Sequence, residues 1–186
     1  MELWSERGYD RTTTAEIAAR AGVTERTFFR HFPDKREVLF DGATAMRATL
    51  IDALAEAPAD LAPLDALQQA LCGLEPLFED NRPYAGARQR IIAETPALRE
   101  RESAKAAFLT ESLSAALQRR GLDARLATLA AQMGMAALTY AVTRWAEFPD
   151  ESLGLHLAHA FAQMRSLSEP NQPGSVSARD SRRPAR

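Results

Sequence analysis

An all-α fold is predicted from three observations. Between Pro33, Pro58, Pro63, Pro76, Pro83, Pro96 and Pro149 the apolar residues recur mostly at helical spacing. No stretch alternates apolar and polar residues convincingly, as a half-buried strand does. Helix-start signals precede the apolar runs: Thr13 with Glu16, and Asp34 with Glu37, are spaced as capping boxes. The expected order is a short first helix ending near Gly8, two brief helices within 13–32, and longer ones near 34–56, 64–79, 83–94, 97–120, 123–147 and 151–167.

Composition narrows the class. The chain has 186 residues, 46% of them hydrophobic, as expected of one ordinary domain or of a small domain joined to a larger one. A net charge of −2 argues against coating nucleic acid through bulk charge and leaves only a local basic patch for such a contact. Cys72 stands alone, so no internal disulfide forms. With no signal peptide at Met1 and no long uncharged apolar run expected, the chain reads as soluble and cytoplasmic, with no membrane partner. Arginine greatly outnumbers lysine, which occurs only at Lys35 and Lys105, a bias associated with GC-rich bacterial genomes. From Glu169, the segment EPNQPGSVSARDSRRPAR holds one aliphatic residue, Val176, and 169–186 is expected to be a disordered tail.

The stretch between Thr13 and Lys35 carries the chemistry. Thr13 caps a first helix with Ile17, Ala18 and Ala21 on its apolar face, and Gly22 permits the sharp turn. Val23 is expected to drop into the core. Thr24 caps a second helix on which Phe28 and Phe32, four apart, share one face, leaving Glu25, Arg26, Thr27, Arg30 and His31 available elsewhere. This is helix-turn-helix geometry. Asp34 and Glu37 then start the next helix, with Lys35 in a first turn whose backbone amides favour phosphate.

The segment TTTAEIAARAGVTERTFFRHFPDKREVLF resembles the DNA-binding domain of the tetracycline-repressor (TetR) family, with EIA, AGV, T-F-F-x-H-F and the following Lys35 at the family's spacings. The resemblance implies a bacterial regulator, mostly a repressor, that binds palindromic operators in double-stranded DNA as a homodimer. It also implies release when a small-molecule effector enters a helical C-terminal domain. On this footing 1–47 is the DNA-binding domain and 48–168 the ligand-binding and dimerisation domain. Glu25, Arg26, Thr27 and Arg30 fall where the family reads bases or flanking phosphates. Thr13, His31 and Lys35 fall at backbone-contact positions, Thr24 and Phe29 complete the candidate surface, and Phe28 is a core position. The alternative for Arg26 alone is a solvated surface arginine. Position 29 is commonly tyrosine in the family; Phe29 cannot donate a hydrogen bond, and either packs internally or touches a thymine methyl. The family's first helix is normally longer, so a truncated N-terminus before LWSERGYD is expected, from a late start assignment or a weakened domain in which Leu3, Trp4 and Tyr9 pack with little helix to hold them.

In the C-terminal half, ARLATLAAQMGMAALTYAVTRWAEF is apolar nearly all round, with Leu126, Leu129, Met133, Ala137 and Tyr140 on one stripe and Met135, Leu138, Val142 and Trp145 on another. The last helix offers Leu153, Leu157, Ala160, Phe161, Met164 and Leu167. A dimer interface through Leu129, Met133, Tyr140, Leu157, Phe161 and Met164 is expected, two helices from each copy forming a four-helix bundle; the alternative is that both faces are ordinary core. Met46, Leu50, Leu71, Phe78, Tyr84, Ile91, Phe108 and Leu113 offer apolar lining for a ligand pocket. RQRIIAETPALRERE resembles mycofactocin-type regulators of the family, some responsive to acyl-coenzyme A, which would set Arg88 or Arg90 against an anionic head group or else in water.

No enzyme constellation, cofactor or metal site is expected: His156 and His159 lack further ligands, and Glu94, Glu100 and Glu102 with Arg99 and Arg101 read as a solvated helix start. The leading reading is a ligand-released repressor. The alternatives are a DNA-binding regulator without a pocket, and a helical enzyme or interaction module with a vestigial DNA-binding domain.

Overall fold

A computed structural model describes residues 2–168, and the tail expected at 169–186 lies outside the described residues. Every regular element described is helical: α1 (Glu2–Arg7), α2 (Thr14–Arg20), α3 (Glu25–His31), a 3-10 segment (Lys35–Phe40), α4 (Ala43–Glu56), α5 (Pro63–Cys72), α6 (Glu75–Glu79), α7 (Arg82–Glu94), α8 (Pro96–Arg119), α9 (Ala124–Glu147) and α10 (Leu153–Ser168). Two expected helices are broken. The one near 34–56 divides at Gly42, whose φ of 87° no β-carbon-bearing residue adopts readily, and α4 then runs through the expected domain boundary at residue 47. The one near 64–79 divides at Gly73 and Leu74, just ahead of Pro76 in the first turn of α6.

The bundle closes on α9. Ala127, Ala130, Ala131, Gly134, Ala137 and Ala141 form a buried seam of small residues, so neighbouring helices approach its backbone closely. Leu67 and Leu71 of α5 lie over Gly134. Leu50 and Leu54 of α4, Leu113 and Leu117 of α8, and Leu153, Leu157 and Phe161 of α10 join the same core. Arg120 closes the end of α4, donating to the carbonyls of Leu54 at 2.8 Å, Ala57 at 2.7 Å and Pro58 at 2.6 Å. Contrary to expectation, α9 carries an uncharged run from Leu126 to Thr143. By length and composition it could cross a membrane, though its small-residue seam is buried inside the bundle.

A second core joins the N-terminal helices to the bundle: Trp4, Tyr9, Leu39 and Phe40 pack with Ile91, Ile92 and Leu98. The Trp4 and Tyr9 rings pack tilted, 5.8 Å apart, so the short α1 is held by side-chain burial rather than by its own length.

Polar groups lock this junction. Asp34 caps the 3-10 segment as expected, accepting from Arg36 N at 2.7 Å and Glu37 N at 3.3 Å. Glu37, however, does not complete a capping box. Its largely buried carboxylate accepts from Arg101 at 2.7 Å and Lys105 at 2.9 Å, both on α8. Arg88 of α7 donates to the Leu39 carbonyl at 2.9 Å, lies 5.3 Å over the Phe40 ring and pairs with Glu102 at 3.3 Å.

The Arg101 hydrogen bond, with Lys105 beside it, holds the Glu37 carboxyl below the usual carboxylate range. Its folded-state pKa lies below its unfolded value, so its stabilising contribution is full above that value, ordinarily 4.5, and is lost as the pH falls further. Glu37→Gln is expected to cost about 1–2 kcal/mol at neutral pH. It should also flatten the fall in melting temperature on acidification; scanning calorimetry from neutral pH to pH ~3 checks both.

Candidate nucleic-acid interface

The helix-turn-helix is built by its caps. Thr13 accepts from Glu16 N at 3.2 Å, and Glu16 accepts from Thr13 N at 2.8 Å, so the expected capping box forms. Those bonds from Thr13, foremost the backbone one, keep the Glu16 carboxyl below its ordinary range. Gly22 turns the chain at φ 69°. Thr24 accepts from Thr27 N at 3.1 Å to start α3. The Thr14 hydroxyl donates to Glu25 at 2.7 Å, tying the starts of the two helices together. Phe28 is buried, with the Phe32 ring 5.4 Å away. Val23 departs from expectation: it is 40% exposed, held in the turn by its N–H, which donates to the Ala18 carbonyl at 3.0 Å, rather than by burial of its side chain.

Apart from His31 and Lys35, the expected DNA-facing residues sort into two groups. Thr13, Thr24 and Glu25 have their side chains engaged within the motif, Thr24 sharing a hydroxyl hydrogen bond with Thr27 at 3.0 Å. Arg26, Thr27, Phe29 and Arg30 line an open concavity of about 470 Å³ on the outer side of α3. Arg26 has no hydrogen-bond or ion-pair partner among the described residues, and Arg30 meets only His31 Nε2, at 3.4 Å. The concavity therefore combines two guanidinium groups with an aromatic ring, a surface suited to a polyanion with apolar features between its charges.

Lys35 is employed differently from the expectation that it binds phosphate. Its ammonium donates to the carbonyls of Tyr9 at 2.9 Å and Thr12 at 3.0 Å, reaches that of Asp10 at 3.5 Å, and lies 4.3 Å over the Tyr9 ring. An ammonium has three donors, and three carbonyls take them. The fully buried Thr12 pins the same loop, donating to Gly8 O at 2.9 Å.

The residues expected to line a ligand pocket divide between the bundle core, the junction core and the surface. Leu50, Leu71 and Leu113 are fully buried in the closed bundle core, with Met46 packed at its edge. Phe78 stands edge-on to Trp145 at 5.9 Å. Ile91 belongs to the junction core, whereas Tyr84 and Phe108 are exposed. Arg88, expected either at an anionic head group or in water, instead fastens the 3-10 segment, and burial pushes its guanidinium pKa down while Glu102 opposes the shift.

The expected dimer face divides similarly. Leu157 and Phe161 are buried within the chain, because α10 packs them onto α9 and α5. Met164 is half-buried against the same core. Leu126 at 60% exposure, Leu129 at 54% and Tyr140 at 44%, with the half-buried Met133 between them, form an outward stripe at heptad-like spacing along α9. Among the described residues no three metal-ligating side chains gather, and His156 and His159 part, the first buried and the second exposed.

Sequence reasoning missed the Glu37 clasp. Its partners lie 64 and 68 residues away, and the charge density around Pro96 carries no sign of which acid Arg101 meets.

Comparison with known proteins agrees with this geometry. A family model of bacterial regulatory proteins, tetR family, matches residues 1–41, and one of the MftR C-terminal domain matches 61–168. The transcriptional regulator TcmR of Streptomyces glaucescens is 40% identical over 70 residues, 38% of this chain and 31% of that protein. MftR of Mycobacterium tuberculosis is 28% identical over 98 residues, 53% of this chain and 50% of that protein. The matched stretches thus span from about a third to a half of these curated relatives. FadR of Thermus thermophilus, a TetR-family repressor solved with lauroyl-CoA, shares the fold over 94% of this chain and 95% of its own, with a TM-score of 0.53 and 22% identity.

Replacing Lys35 removes the charged donor from three carbonyls. Lys35→Ala is therefore expected to lower stability by about 1–3 kcal/mol, read as a lower melting temperature. A variant melting with the wild type would show that the α1–α2 loop stands without it.

Proposed function

Since the chain belongs to the tetR family of bacterial regulatory proteins and carries an MftR-type C-terminal domain, we propose that it is a cytoplasmic, ligand-released repressor. In this reading a homodimer holds a palindromic operator in double-stranded DNA and lets go when a small hydrophobic or acyl-type molecule binds. The observation that carries the DNA half is Arg26, exposed on the first turn of α3 and without a partner among the described residues, at the mouth of a cationic concavity. A guanidinium so placed can bond a guanine edge bidentately once α3 enters the major groove. Arg30 and His31 flank it for phosphates, with the Thr27 hydroxyl beside them on Thr24 at 3.0 Å, while the caps at Thr13 and Thr24 keep both helices in register for the backbone.

Dimerisation is assigned to the outward stripe of α9, with Leu129, Met133 and Tyr140 at its centre, joined by the exposed Leu155 of α10. Two such stripes related by a two-fold axis would bury each other and set two α3 helices against successive major grooves.

Release has a physical route in the junction. A guest among Leu50, Leu71 and Leu113 would displace α8 from α4 and α5. Arg101 and Lys105 ride on α8, so the hold on Glu37 and the seat of the DNA-binding helices would change with it. Binding of an acyl-CoA by a protein of the same fold suits this reading. A second reading, a regulator whose core stays closed, is favoured by the full burial of those same three leucines.

Duplexes selected from randomised DNA supply the operator, and fluorescence anisotropy across a salt series reads affinity. Arg26→Ala is expected to cost about 1–3 kcal/mol on that operator and to relax preference at one base pair per half-site, while Lys35→Ala leaves the salt slope unchanged. Light scattering on a sizing column should give a dimer mass, and Leu129→Glu a monomer. Lauroyl-CoA is expected to weaken operator binding; if it and other acyl-CoAs neither do so nor raise the melting temperature, the closed-core reading holds.

A further inference from the structure

We propose that Phe29 is a specificity-determining residue that covers the 5-methyl group of one thymine in each operator half-site. The inference rests on the regulator reading above. Two phenylalanines stand side by side on α3 and differ in burial: Phe28 is buried, whereas Phe29 is 49% exposed. Their rings meet edge to face at 5.4 Å and 87°, so the buried ring holds the exposed one in place. Internal packing, one of the two roles open to this residue from sequence, therefore leaves half of it uncovered.

Its neighbours define what can cover the rest. Arg26 lies one turn before Phe29 and Arg30 directly after it, and both line the same concavity. Neither pairs with a carboxylate among the described residues, and the nearest acid in the helix, Glu25, is held by Thr14. A partner that seats both guanidinium groups brings an apolar feature onto the ring between them. A phenyl ring has no donor or acceptor, so it neither holds a phosphate nor reads a base edge by hydrogen bonding. In the major groove the apolar group is the thymine methyl. Its contact with Phe29 removes water from both, and this interaction is absent for cytosine or for a thymine shifted out of register.

The test uses the full chain and its selected operator. Each thymine is replaced singly by deoxyuridine, which removes only the methyl group, and binding is measured for the wild type and for Phe29→Ala. Loss of one buried methyl corresponds to about a fourfold change in affinity. One thymine per half-site is expected to show that loss with the wild type and none with Phe29→Ala, a non-additivity that identifies the contacting pair. Equal losses in both proteins, or no loss at any thymine, overturn the assignment. Circular dichroism melting confirms that the variant folds, and Phe29→Gln, which stays helical and polar, takes its place in the same cycle if it does not. If selection enriches no sequence, the regulator reading itself fails and the thymine contact falls with it, a result distinct from an operator that is indifferent to its methyl groups.

Discussion

The carboxylate of Glu37, accepting from Arg101 at 2.7 Å and Lys105 at 2.9 Å, is the interaction on which the placement of the helix-turn-helix depends. The 3-10 segment that bears it follows α3 directly, and α8, which bears its partners, runs on into the bundle core. Arg88 adds a hydrogen bond to the Leu39 carbonyl and a cation over Phe40. Beneath these polar contacts lie Trp4, Tyr9, Leu39 and Phe40, packed on Ile91, Ile92 and Leu98. The apolar layer supplies adhesion without direction, and the charged layer supplies direction. The position of α8 is therefore tied to the helix-turn-helix by two hydrogen bonds on one carboxylate, beside this apolar layer.

The cations of the N-terminal region divide according to what surrounds them. Lys35 is spent on the carbonyls of Tyr9, Asp10 and Thr12, and Arg20 pairs with Glu2 at 2.8 Å. These groups hold the motif together. Arg26 and Arg30 meet no acid among the described residues and face outward around Phe29. Local positive potential is thus concentrated on α3 although the whole chain carries a charge of −2.

Helix α9 shows how one apolar sequence serves two purposes. Its alanine and glycine seam lets α5, α8 and α10 close around it. The larger residues Leu126, Leu129 and Tyr140 are left on the far side, where no helix among the described residues covers them. Elsewhere Glu79 ties the bundle together: it accepts from Arg82 at 2.6 Å and from the Trp145 indole at 2.8 Å, bonds that, led by the one from Arg82, bring its carboxyl down to about 2.

Local signals sufficed for the all-α class, the capping box at Thr13, the N-caps at Thr24 and Asp34, the turn at Gly22 and the helix-turn-helix itself. Each is written within a few adjacent residues, where helical periodicity and cap chemistry act. Helical periodicity also marked Leu126, Leu129, Met133 and Tyr140 as one stripe of α9, although Ala137, expected on that stripe, turns into the buried seam. Only the tertiary structure decided which stripe is buried, that α10 commits Leu157 and Phe161 to the chain's own core, and that Leu50, Leu71 and Leu113 close on one another. It alone turned Lys35 toward the carbonyls of the α1–α2 loop, Arg88 toward Leu39 and Glu37 toward α8. Those choices join groups 23 to 68 residues apart, and the partner of a charge or an apolar face at such a distance is set by packing geometry rather than by the residues beside it.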